Sequence, residues 1–249
     1  MNLIIQRHTE SETMKIIGDK YDTEENILKL INKSTPTETN LTFKDFSEMA
    51  GWVHVGGHID KKEFSIKYSS QVFDTAVFIQ FFAELADLKD EITIFLDYEG
   101  SEPMLYAKKI DKDTIRFLFA HDYHLYDSDD ADKDYLQLYK TEFDILVSKK
   151  ELLGKFYIIL YPYLTNYDEN YAEFLGFHLK QAKKYMSIIK SYINKNMTSE
   201  EKKIIEETIQ ENAKEELGEW TKEMIKPENI AGTFDSTEEM MKSLWDEDD

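Results

Sequence analysis

Three strand-length apolar runs follow one another with almost nothing between them. EITIFLDY (91–98), PMLYAKKI (103–110) and TIRFLFAHDY (114–123) are separated only by EGSE and DKD. A parallel pair needs a crossover of a dozen or more residues, so polar connectors this short force neighbouring runs into antiparallel pairing. After an acidic stretch, YLQLYKTEFDILV continues as a further long strand. Upstream, WVHVGGHIDKKEFSIKYSS reads as a hairpin: Val53 and Val55 alternate with polar residues, and Phe64, Ile66 and Tyr68 do the same. Between these groups Asp74 is placed to cap a helix whose Phe78, Phe81, Phe82, Leu85 and Leu88 keep helical spacing. Ser148 and Glu151 form a capping box for a second helix bearing Leu152, Leu153, Phe156, Leu160 and Leu164, which Pro162 should kink or end. The order β-β-α-β-β-β-β-α predicts an α+β fold, an antiparallel sheet with helices packed on one face.

A helical hairpin is expected to follow. HLKQAKKYMSIIKSYINKN carries the stripe Leu179, Ala182, Met186, Ile189 and Ile193. Thr198 and Glu201 then open a helix with the stripe Ile205, Ile209, Ala213, Leu217, Trp220 and Met224, stopped at Lys226-Pro227. These stripes are core-packing patterns. Ahead of everything, TEENILKLINK gives a short helix in residues 1–50. Four segments result: 1–50 with that helix, the α+β module 51–165, the hairpin 166–226, and an acidic tail 227–249.

The 249 residues are 41% hydrophobic, with 15 Phe and 15 Tyr, which is ample for a core. The formal net charge is −20. Such a chain repels nucleic acid and anionic membranes, so neither is an expected partner, while basic protein surfaces are attracted. With no cysteine, disulfides and thiolate chemistry are excluded. The N-terminus lacks a signal-peptide core and no run reaches the length of a membrane span, so cytoplasmic residence is expected. The wealth of Lys, Ile, Asn and Tyr is that of an AT-rich genome, bacterial or phage. Charge is also unevenly spread: residues 198–249 hold 17 acids against 6 lysines, over half of the net charge.

YDSDDADKDY, residues 126–135, is the densest acidic stretch. Against a calcium-binding EF loop, Asp130, Asp132 and Asp134 take the first, third and fifth positions. The sixth is Tyr135 instead of glycine and the twelfth Thr141 instead of glutamate, so the template fails twice. A solvated hairpin loop is the plain reading; a surface for a basic partner, built of Asp127, Asp129, Asp130, Asp132 and Asp134, is the functional one. His54 and His58 flank Gly56-Gly57, which should turn the chain. A His/Asp metal site needs that segment to pair with His121 and His124. No nucleophile elbow, phosphate loop or His-Glu-x-x-His motif is present, and neither an enzyme nor a cofactor is expected. In the tail, Ser236 and Glu239 can cap a short helix with Met240, Met241, Leu244 and Trp245. So short a helix must dock on its own body or on a partner. Met241, Leu244 and Trp245 join the loop aspartates as candidate partner-binding residues.

EFSIKYSS, FIQFFAELADL and EITIFLDYEG together resemble the immunity proteins of bacterial polymorphic and contact-dependent inhibition toxins, in element order over residues 51–164. The resemblance carries no signature motif, so no residue role transfers. It implies a cytoplasmic inhibitor that neutralises a partner protein by occluding a basic surface; an anti-defence protein of a phage has the same features. The alternative is a scaffold or adaptor subunit assembling through the helical hairpin and tail.

Overall fold

The computed structural model describes residues 14–17, 24–49, 51–88, 90–96, 103–122, 139–165 and 178–224, some of them, including 213–224, by backbone alone. Residues 1–206 form one compact unit and residues 207–249 a second. The fold is α+β. In chain order the described elements are β1 (Met14–Ile17), α1 (Glu24–Lys33), β2 (Thr37–Glu38), β3 (Leu41–Met49), β4 (Trp52–Ile59), β5 (Lys62–Ser69), α2 (Thr75–Leu85), β6 (Glu91–Phe95), β7 (Met104–Lys109), β8 (Thr114–Asp122), β9 (Tyr139–Ser148), α3 (Lys149–Thr165), α4 (Leu179–Asn196) and α5 (Ser199–Met224).

Two sheets form where one was expected. β6, β7, β8 and β9 pair antiparallel in sequence order, as their short connectors require. Both edges of this sheet come from the N-terminal segment and pair in parallel: β1 on β6 and β2 on β9, giving the order β1-β6-β7-β8-β9-β2. The hairpin β4–β5 belongs to a separate three-stranded antiparallel sheet with β3.

The six-stranded sheet is covered on both faces. Register places Phe95, Met104, Tyr106, Leu118 and Ala120 on one side, where Ile31 and Leu28 of α1 close over them. On the other side Phe117 meets Phe81 and Phe82 of α2 at 6.4 and 6.2 Å and Phe143 at 5.4 Å. Double coverage explains why all five residues of β6 are buried, glutamate included. The centre of the fold is a cluster of rings at the junction of helices and sheets, with Phe156 of α3 stacked on Phe82 of α2.

The caps form as their residues dictate. Asp74 Oδ1 accepts from the Ala76 amide at 2.9 Å, and its Oδ2 lies 2.5 Å from His178 Nδ1 ahead of α4. Thr198 and Glu201 exchange backbone-to-side-chain hydrogen bonds of 2.7 and 3.2 Å at the start of α5. Glu201 also pairs with Lys150 at 2.6 Å, which together with that cap holds its carboxyl down at about 2. Pro162 sits in the last turn of α3, which ends at Thr165. Along α4, Leu179, Ala182, Ile189 and Ile193 are buried and Met186 half-buried; on α5 Ile205 is buried and Ile209 half-buried.

Gly57 is one position where only glycine fits. A Cβ there would overlap the Thr42 carbonyl oxygen and come within 2.6 Å of the Phe64 ring. Backbone cannot swing aside as a side chain does. Gly57→Ala is expected to cost about 1–3 kcal/mol by overpacking, read as a lowered midpoint in urea unfolding at unchanged slope.

Candidate functional site

The outer face of the three-stranded sheet gathers several chemistry-bearing side chains. Register sets Asp45 opposite Gly56, and Gly56 opposite Ser65, so the three share this face. His54, two residues along β4, points the same way, and so does His58. A bulge between Phe43 and Asp45 re-aims β3 and brings the Asp45 carboxylate to His54 Nδ1 at 2.8 Å. Gly56 makes this contact possible. Its Cβ would strike Asp45 Oδ1 and sit 3.0 Å from His54 Cε1, so the imidazole lies over bare backbone. A carboxylate oxygen accepts here, so Nδ1–H of His54 donates, and in a neutral ring Nε2 is then the acceptor. Further along, His58 Nε2 lies 3.5 Å from Glu63.

Both pairs are more than a third exposed, so the high dielectric of the surrounding water weakens them. The Asp45–His54 arrangement could orient an imidazole as a proton acceptor. Ser65, the hydroxyl beside it on this face, has a buried Oγ that makes no hydrogen bond, so no His–Ser couple is formed. At the end of the same face Trp52 pairs with Met49, and Met49 is 81% exposed. An exposed aromatic and a thioether beside mixed charge suit contact with another protein.

Several expectations are corrected here. Gly56-Gly57 does not turn the chain: β4 is continuous from Trp52 to Ile59, and His54 and His58 share a face because the strand is extended. His121 cannot join them, since it lies on β8 in the other sheet, where its ring packs 5.6 Å from Phe119. Among the described residues no group of three or more His, Asp or Glu side chains could hold a metal ion. Asp45, missed in the sequence, was hidden by the bulge: the period-two pattern of Leu41 and Phe43 resumes at Phe46 one residue late. The loop residues Asp127, Asp129, Asp130, Asp132 and Asp134 lie outside the described residues, as do His124 and the tail residues Met241, Leu244 and Trp245.

Among the described residues no helix is long and apolar enough to cross a membrane. No family model, curated protein or solved structure matches the chain.

Proposed function

We propose that this is a cytoplasmic, acidic protein-binding inhibitor, of the immunity or anti-defence kind, that neutralises a partner protein by covering a basic surface. The observation that carries the reading is charge: −20 over the chain, with 17 acids against 6 lysines in residues 198–249 alone. A field of this sign steers a basic partner into encounter and repels nucleic acid that competes for the same surface. The Asp127–Asp134 carboxylates supply a second concentration of charge. Met241, Leu244 and Trp245, with Trp52 and Met49 on the sheet face, supply apolar anchors of the type that dominate binding energy.

The test begins with a tagged full-length chain used to capture its partner from the cell that encodes it. Association is then followed by stopped flow at salt from about 50 to about 500 mM, where the screening length shrinks from roughly 14 to 4 Å. The rate constant should fall at least about tenfold. The purified partner should also be toxic when expressed alone and harmless when co-expressed with this chain. Removing residues 234–249 should weaken capture while leaving the melting temperature unchanged. Salt-independent association, or a partner whose activity the chain leaves intact, rejects the proposal.

A further inference from the structure

Two adjacent lysines open α3, and their surroundings push their amines in opposite directions. Lys150 Nζ donates to Glu201 at 2.6 Å, and that bond holds its pKa above the ordinary lysine value. Lys149 is only 9% exposed, yet among the described residues its ammonium has neither a hydrogen bond nor an ion pair. The other buried charged side chains of the described fold are paired: Asp144 with Arg116, and Glu91 with Lys108 and the Tyr106 hydroxyl. Lys149 Nζ instead faces the ring of Tyr192 on α4, 5.2 Å from its centroid. A ring face replaces only part of the hydration that an ammonium loses on burial.

Burial is the larger cause that lowers the pKa of Lys149, and the neighbouring charge of Lys109 adds to it. Asp87 and Asp113 pull more weakly the other way. Lys149 also stands in the first turn of α3, where the aligned peptide dipoles are positive and oppose a further cation. Burial, a like charge and a helix start thus all favour the neutral amine, the form with a lone pair to give. The nitrogen is not sealed from water, so a small reagent can reach it. Lys109 is exposed and, among the described residues, has no carboxylate of its own.

We propose that Lys149 is a covalent attachment site for a small aldehyde bearing an anionic group, held as a Schiff base beside the Tyr192 ring. The nitrogen lone pair adds to the carbonyl carbon, and the carbonyl π electrons move to oxygen. One amine proton passes to that oxygen, the resulting hydroxyl leaves with the second as water, and the C=N bond closes. Lys109 supplies the charge that holds the anionic group. A lysine that only pinned α4 through its charge would behave in the reverse sense, since a buried ammonium is among the slowest to react. The inhibitor reading does not require this site, and failure of one leaves the other standing.

Pyridoxal phosphate, an anionic aldehyde, is the probe. The folded full-length chain is exposed to it at neutral pH, reduced with borohydride and mapped by peptide mass spectrometry. Lys149 should take up the adduct at least about fivefold faster than Lys150 or any exposed lysine. Its rate should also level off at a lower pH than the rates at the other lysines. Lys149→Arg keeps a cation beside Tyr192 and should remove the preferred adduct, with circular dichroism unchanged. Lys109→Gln should slow pyridoxal phosphate at least about threefold more than it slows pyridoxal, which lacks the phosphate. The mapping on the unaltered chain stands even if one variant does not fold. Adducts spread over the lysines in order of their exposure overturn the proposal, and so does equal slowing of the two aldehydes by Lys109→Gln.

Discussion

Replacing Phe156 with alanine is expected to remove about 3–5 kcal/mol of stability. The ring is fully buried and stacks on Phe82 with centroids 3.6 Å apart and 12° between planes. Phe43 and Phe78 meet it edge-on at 5.7 and 6.0 Å, and Phe46 lies at 6.1 Å. These neighbours come from α2 and from β3, so one side chain of α3 ties the helices to the three-stranded sheet. Truncation therefore loses the transfer free energy of a phenyl group and also leaves a cavity between elements that cannot all collapse inward together. For a chain of this size the melting temperature should drop by roughly 10 °C. Val72→Ala, at a position 59% exposed, is the matched control and should stay within about 0.5 kcal/mol. A Phe156→Ala loss below about 1 kcal/mol would show that the cluster is not the core of the fold.

Part of that cluster could be read from the sequence, but its assembly could not. Phe78, Phe82 and Phe156 stand out because helical spacing survives any tertiary context, and Phe64 stands out by alternation. Phe43 and Phe46 were lost because the bulge in β3 breaks the period of two between them. Pairing order was clear from Glu91 to Lys109 and on into β8, where connectors of three or four residues leave no choice. It was not clear for β1 and β2, four and two residues long, which dock in parallel from far along the chain. Parallel partners are joined by long connections, and nothing local in MKII or TE announces a partner more than seventy residues away. The division into two sheets was invisible for a related reason, since β4–β5 and β6–β9 are each self-consistent hairpin series. The Asp45–His54 pair depended on that hidden strand.

The second large effect concerns charges under α1. Arg116 grips Asp144 with two hydrogen bonds, Nε to Oδ1 at 2.9 Å and Nη2 to Oδ2 at 2.7 Å. Nη2 also donates to the Ile31 carbonyl at 2.6 Å and to the Ser34 carbonyl at 3.1 Å, at the end of α1. Ser34 Oγ donates to Asp144 at 2.6 Å and completes the ring of contacts. Helix ends leave carbonyls without intrahelical partners, and here a guanidinium satisfies one of them while the sheet holds the guanidinium. The hydrogen bonds that Arg116 donates to Asp144 raise its pKa still further, so the guanidinium stays charged. The side chains are only 12% and 4% exposed, so removing either one leaves the other as an uncompensated charge out of water. Arg116→Ala and Asp144→Ala should each cost about 3–5 kcal/mol in urea unfolding. The double replacement Arg116→Met with Asp144→Leu should cost far less than the sum of the singles, because it removes both charges and keeps apolar volume under α1. Arg116→Lys should not rescue, since an ammonium cannot span both carboxylate oxygens and the helix end at once. Additive single and double effects would mean that the two charges are independently solvated. A strong coupling would mean that α1 is locked to the six-stranded sheet through this pair, and hydrogen exchange of the α1 amides should then quicken in both single variants.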